Sequence, residues 1–505
     1  MLTRDQFQQL YEQGADALFA LFQKQQEQLQ KAKDELVTSQ EMLLLLYEQI
    51  QDVQQQIQAL KQRIQELEAR LDKDSHNSHK PPSSDGLAKK PAPKSLRPQT
   101  GRKPGGQKGH PGSTLTFSEA PDHQVAHVPT RCQGCGGSLE TAVVTDTRKR
   151  QVVDLPPLHL EVTEHVVQSR RCWCGTITTA EFPTEVAQPV QYGPRLLALG
   201  VYLRDYQQVP YARCTQLLAD LFGAGLCKRT LQSALQTCAT RLEPVAQHIQ
   251  QALKTASVLH CDETGMRVAG KLHWVHSAST HALTYYTCHP SRGKKGTDAA
   301  GILPEFVGTA MHDAWCAYGQ YGCSHALCNA HHLRELIALE EQGVLFAAPM
   351  ITLLLGIKAE VDRAKHQGKD RLSALWQAHF EGRYQRLIRQ GYEQNPPPED
   401  PPRDKRGRPK QSGARNLLGR LDVHRRQVLA FMYDFAVPFD NNLAERDLRM
   451  IKLRQKISGG FRTLSGAAGF CRLRSYLSSL RKQGKNLLQA LESVFRGCPE
   501  PVTAG

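Results

Sequence analysis

In Ser257-Val-Leu-His-Cys-Asp-Glu-Thr-Gly-Met-Arg-Val268 an acid, Asp262, ends a strand-like run. Thr264-Gly265 reads as a turn, after which Met266 to Val268 resume the extended pattern. His273-Trp-Val-His-Ser-Ala278 and Thr284-Tyr-Tyr-Thr-Cys288 follow as further strands, a helical stretch opens at Gly296, and Gly308-Thr-Ala-Met-His-Asp313 is another strand closing on an acid. A third acid, Glu445, lies far downstream in Asp440-Asn-Asn-Leu-Ala-Glu-Arg. Asp440 or Asn441 is a good N-cap after Pro438-Phe439, so Glu445 falls in a helix. Glu445, Arg449 and Lys452 then share one face, beside an apolar stripe of Ala444, Leu448 and Ile451. By itself that helix reads as a solvated surface helix with Glu445 paired to Arg449.

Three antiparallel strands, a helix and a further strand, with acids on the first and fourth strands and a third on a late helix, make the ribonuclease H-like arrangement. Hard oxygen ligands converging from separate elements suit Mg²⁺-dependent phosphoryl chemistry, in which metal ions clamp the attacking and leaving oxygens. The long interval from Asp313 to Glu445 leaves room for a helical, charged insertion at about 340–430.

The surrounding composition fits a nucleic-acid partner. Lys and Arg total 64 against 49 acids, a formal charge of +15. The opening residues are polar and lack the apolar core of a secretory signal, and the longest aliphatic run, Met42 to Leu46, is too short to span a bilayer. A reducing, cytoplasmic location is expected, where close cysteine pairs read as metal ligands rather than disulfides.

Towards the N-terminus, Leu29, Leu36, Leu43, Ile50, Ile57, Ile64 and Leu71 recur every seven residues, with Leu46, Val53, Leu60 and Leu67 three positions on. That seam predicts a coiled coil over 1–72 and a homo-oligomer; a single amphipathic helix on its own core is the plainer reading. Residues 73–112 hold seven prolines, six glycines and nine Lys or Arg, the composition of a basic tether. Cys132-x2-Cys135 and Cys172-Trp-Cys174, each followed by glycine and separated by the alternating stretches Val143 to Val153 and His159 to Gln168, predict a structural zinc ribbon over 113–185. Its second pair is one residue shorter than the usual spacing, and four free thiols are the alternative. Helical segments over 186–255, broken at Gly223-Ala-Gly225 before Lys228 and Arg229, fit a helix-turn-helix offering those two side chains to DNA.

His-Cys-Asp-Glu-Thr-Gly-Met-Arg-Val, the Asp313 strand, Cys328-Asn-Ala-His331-His332-Leu-Arg334 and Asp440-Asn-Asn-Leu-Ala-Glu-Arg-Asp-Leu-Arg449 together resemble the insertion-sequence 66 family of bacterial transposases. The likeness extends over nearly the whole chain. It implies that Asp262, Asp313 and Glu445 are a catalytic triad holding Mg²⁺ (or Mn²⁺), and that the enzyme cuts the ends of an insertion element and joins the 3′-hydroxyls to target DNA. Double-stranded DNA, and accessory proteins encoded by the element, are the partners it suggests. Arg449 and Lys452 would hold backbone phosphates. Arg406 and Arg408, in Lys405-Arg-Gly-Arg-Pro-Lys410, match the core of minor-groove AT-hook peptides, with a solvated basic loop as the alternative. His331, His332 and Arg334 follow the last strand and approach the same centre. Cys316, Cys323, His325 and Cys328 are too irregularly spaced for a second zinc site and read as core thiols.

The expected fold class is therefore multidomain α+β: coiled coil, basic linker, zinc ribbon, helical DNA-binding region, a ribonuclease H-like catalytic domain over 256–462 with its insertion, and a C-terminal helical segment over 463–505. Two rival functions share these parts: a non-catalytic DNA-binding regulator, and a ribonuclease H-like nuclease that never joins.

Overall fold

The computed structural model describes residues 4–12, 14–71, 115–397 and 411–504. The basic linker and the loop carrying Arg406 and Arg408 lie outside the described residues. Two compact units divide the chain, Met1–Pro93 and Lys94–Gly505. Among the described residues no helix is long and apolar enough to cross a membrane.

The first unit consists of helices α1 (Arg4–Glu12) and α2 (Ala15–Leu71), separated at Gly14, whose φ of 95° ends the first. Neither glycine nor proline interrupts the 57 residues of α2. Along it Leu29, Leu36, Ile50, Ile57 and Ile64 remain exposed.

The second unit begins with a small hairpin of β1 (Ser169–Arg171) and β2 (Ile177–Thr179). The alternating stretches on its N-terminal side, Val143 to Val153 and His159 to Gln168, are not paired strands, contrary to expectation. Alternation makes a strand when one face has something to pack on; here Val143, Val152 and Val162 are 88, 90 and 91% exposed. Helices α3 (Pro194–Val201), α4 (Tyr211–Phe222), α5 (Lys228–Arg241) and α6 (Glu243–Lys254) follow, with a π-helical turn at Tyr202–Tyr206. Gly223 ends α4 in the left-handed region at φ 65°.

A five-stranded sheet comes next: β3 (Val258–Val268), β4 (Lys271–Ser279), β5 (Thr284–His289), then α7 (Lys294–Ala299), β6 (Thr309–His312) and β7 (Ser324–Leu327). Its spatial order is β5-β4-β3-β6-β7. The pairs β3–β4 and β4–β5 are antiparallel, while β3–β6 and β6–β7 are parallel. Strand β3 runs unbroken through Thr264-Gly265, which pair with Val275 and Trp274, so the expected turn there does not exist. Gly265 serves close packing: a Cβ would stand 3.2 Å from a methyl of Leu272. The chain reverses instead at Ala269-Gly270, both at positive φ (49° and 75°), the conformation a tight hairpin needs.

The remaining helices are α8 (Asn329–Glu341), α9 (Ala347–His366), α10 (Ala374–Gln394), α11 (Gly413–Val423), the short α12 (Arg425–Val428) and α13 (Ala430–Tyr433), then α14 (Asn442–Ser458), α15 (Leu464–Lys482) and α16 (Leu487–Phe495). Alternation along β3 sorts its side chains. Leu259 and Cys261 enter a core shared with α5, α6, α15 and α16, whereas Met266 and Val268 face Leu448 and Ile451 of α14. Helices α8 to α11 close their own core around Leu354, Ile357, Tyr384 and Leu418. Along the edge strand β5, the hydroxyls of Ser479 and Ser475 on α15 accept the backbone N–H groups of Thr284 (2.9 Å) and Tyr286 (2.8 Å). A helix thereby satisfies an edge that would otherwise offer unpaired donors.

Candidate active site

Asp262 occupies the middle of β3 on the face turned to α14, and Asp313 follows the last residue of the neighbouring β6. Parallel pairing of His260 with Met311 brings the two acids to the same end of adjoining strands. Glu445 comes from the first turns of α14. The charges of Asp313 and Glu445 act on Asp262, and that of Asp313 on Glu445. Burial first, then the carboxylates of Glu263, Asp313 and Glu445, hold the Asp262 carboxyl well above its ordinary range. Burial likewise raises Glu445, aided by Asp440 and Asp313 and opposed by Arg334 and Arg449.

What fixes α14 in this position is Asn441. Its Nδ2 donates to the carbonyl of Cys261 (2.8 Å), and its Oδ1 faces Nδ1 of His260 (2.8 Å), which must therefore carry the proton. Its own backbone N–H donates to Sγ of Cys328 (3.1 Å). Four residues on stands Glu445, whose charge reaches Asp262. The far end of the helix is tied as well: Phe461 donates to the carbonyl of Arg267 (2.9 Å) and accepts from Ala269 (2.8 Å). Gly460 allows this approach, since a Cβ there would lie 2.4 Å from the Arg267 carbonyl oxygen. The Gly459-Gly460 pair is thus a close backbone contact and not the flexible break its composition suggests.

The two aspartates are joined underneath by residues that spacing did not single out. Glu263, on the opposite face of β3 from Asp262, is a buried carboxylate held by Arg292 (2.8 Å) and by the Tyr318 hydroxyl (2.5 Å). The Arg292 guanidinium stacks on Trp315 (3.9 Å) and Trp274 (4.9 Å). Tyr318 stacks on His312 at 4.8 Å between ring centres. The Nδ1 of His312 accepts the N–H of Ala314 (3.2 Å), so its other nitrogen donates to His325 (3.0 Å). Burial drives His312 down to about 3, leaving it a neutral prop. The loop it supports is strained: Ala314 stands at φ 66°, and Oδ1 of Asp313 accepts the N–H of Trp315 (3.0 Å).

Glu445 does not pair with Arg449 as an isolated surface helix would. Its ion pairs are with His331 (3.7 Å) and Arg334 (3.8 Å) of α8, and its Oε1 is buried yet accepts no hydrogen bond. Arg449 is exposed, and Lys452 is half-buried with its ammonium in the field of Asp262. The run of cations Arg454, Lys456 and Arg462, which in sequence extends that basic face, does not do so in the fold: Arg454 is buried against the rings of Phe461 (5.2 Å) and Phe470 (5.4 Å). Lys228 and Arg229 are exposed at the start of α5. Of the irregularly spaced thiols, Cys328 is buried but Cys316 is exposed.

In the ribbon, each cysteine pair folds as a tight knuckle. Gly136 donates to the carbonyl of Cys132 (3.0 Å) and Gly175 to that of Cys172 (2.9 Å), with φ of 72° and 93°. Hydrogen bonds from the backbone of Cys135 and Gly134 lower the Cys132 thiol, and the Thr176 hydroxyl brings Cys174 down to about 7. Both are the thiolate-favouring surroundings a zinc ligand needs.

Comparison with known proteins finds three family matches. Residues 189–469, more than half of the chain, match the transposase IS66 family. Residues 129–175 match the zinc-finger binding domain of transposase IS66, which supports a structural zinc. Residues 22–116 match a family of unknown function. No curated protein matches the chain.

Proposed function

The chain belongs to the transposase IS66 family, and from that premise we propose that it cuts the ends of an insertion element and joins their 3′-hydroxyls to target DNA at one ribonuclease H-like centre. The observation that carries this is electrostatic: Asp262, Asp313 and Glu445 come from three different elements, the charges of Asp313 and Glu445 raise Asp262, and that of Asp313 raises Glu445, although the three carboxylates do not all lie within 4.8 Å of one another. The sheet order with its three antiparallel and two parallel strands supports the fold reading.

The donor set fits a hard divalent cation: three carboxylates, two of them held above their usual range, and a buried Glu445 oxygen lacking a hydrogen bond. When bound, Mg²⁺ would supply Lewis acidity and an acidified water for in-line displacement at phosphorus. Asp262, Asp313 and Glu445 act as its ligands. Arg449 and Lys452 bind the DNA backbone beside them; Lys228, Arg229, Arg406 and Arg408 add DNA contacts away from the centre. Cys132, Cys135, Cys172 and Cys174 hold the structural zinc, and the exposed heptad seam of α2 pairs with a second copy so that two ends meet.

The test is Mg²⁺-dependent cleavage and joining of element-end DNA by purified protein, with Asp262→Asn and Glu445→Gln alongside. Loss of both products in the variants, with DNA binding kept, supports the reading. Cleavage without joining would make the protein a nuclease, and element movement undiminished by either substitution would make it a regulator.

A further inference from the structure

Cys328 is the N-cap of α8 and His331 is its third residue, the two positions whose side chains converge over a helix's first turn. From the facing helix, Glu445 completes a group. The ligand atoms of Cys328, His331 and Glu445 all lie within 4.8 Å of one another, the only such trio among the described residues. His331 Nε2 and Glu445 Oε1 are 3.7 Å apart, close to the separation of two ligands on one tetrahedral ion with bonds of about 2.0–2.3 Å. The sulfur accepts a backbone N–H at 3.1 Å, and both His331 and Glu445 keep some solvent access. Burial holds the free thiol up at about 12, so a bound cation must displace its proton.

We propose that Cys328, His331 and Glu445 form a second, exchangeable site for a borderline transition metal such as Zn²⁺, with its fourth position open to water. Sulfur, imidazole nitrogen and a single carboxylate are a poor donor set for Mg²⁺ and a good one for zinc. Because Glu445 is shared, an ion seated here draws that carboxylate away from Asp262 and Asp313, so zinc would arrest the Mg²⁺ reaction. That consequence rests on the triad reading above; the metal site itself does not.

The deciding experiment counts Co²⁺ on metal-free full-length protein, following thiolate-to-cobalt absorption. Parent protein should take up one more ion than Cys328→Ser, and His331→Ala should show the same deficit with unchanged thermal unfolding. The ribbon contributes equally to all three and cancels. Equal cobalt counts in the parent and both variants would overturn the proposal. A second arm adds Zn²⁺ to a Mg²⁺ cleavage reaction, where inhibition reversed by a zinc chelator is expected. If the protein cleaves no DNA under any condition, the triad reading fails while the cobalt count still decides the metal site.

Discussion

Asn441 reaches the carbonyl of Cys261, one residue before Asp262, with a hydrogen bond of 2.8 Å. Through it the helix bearing Glu445 is indexed to the strand bearing the first aspartate. Substituting alanine strands two buried groups, the Cys261 carbonyl and the His260 ring N–H, at about 1–3 kcal/mol each. We expect Asn441→Ala to lower unfolding free energy by about 2–6 kcal/mol and to reduce cleavage further than the stability loss explains. Denaturant unfolding and single-turnover cleavage check both; retention of full activity would detach Asn441 from the centre.

Ala314 pays for the turn after Asp313 with a left-handed backbone, φ 66°. Glycine adopts that region freely, so Ala314→Gly should stabilise the folded protein by about 1 kcal/mol. A β-branched residue there should destabilise it. A rise in unfolding midpoint for glycine and a fall for valine are the results to look for, and a fall for both would mean the Ala314 methyl is needed for packing.

Arg449 and Lys452 lie on the same helix as Glu445, one exposed and one half-buried facing Asp262. Removing one cation from a DNA phosphate should reduce the slope of log affinity against log salt by about 0.9. Arg449→Ala and Lys452→Ala are therefore expected to weaken binding to every DNA sequence alike. An unchanged salt slope in both variants would place the phosphate elsewhere.

Asp205 is buried in the π-helical turn, where desolvation pushes its carboxyl from 3.8 to about 6 against the pull of Arg204 and Arg474. A folded pKa raised in this way contributes stability that is complete below pH 3.8 and lost as pH rises through about 6. The span is worth about 3 kcal/mol. Between pH 4 and pH 7, Asp205→Asn should gain about that much relative to the parent, with no further change above pH 7. Parallel stability curves would show that the carboxyl titrates normally.

Much of the sheet is legible because its signals are local. Trp274 to Ala278 and Thr284 to Cys288 alternate as strands and fall within β4 and β5. The Thr264-Gly265 pair misleads because glycine between apolar runs usually reverses the chain; here it makes room for Leu272 across the hairpin. Asn441 is readable as a cap, but its partners His260 and Cys261 lie 181 and 180 residues away, beyond any spacing rule. Arg454 looks like one more cation on a basic face, and only the rings of Phe461 and Phe470 reveal it as an interior group. The bracket of Glu263, Arg292 and Tyr318 is equally silent in one dimension, since each member is an ordinary residue until the fold assembles them.

A helix tied to one strand just before its first residue and again beyond its last is held at both ends. On the proposed reading, the helix that carries Glu445 is then in place before any DNA arrives. On that reading, restraint would come largely from supply, from whether DNA ends reach a centre already built. Scarcity of paired ends would then be one safety catch, and the ion that holds Glu445 another.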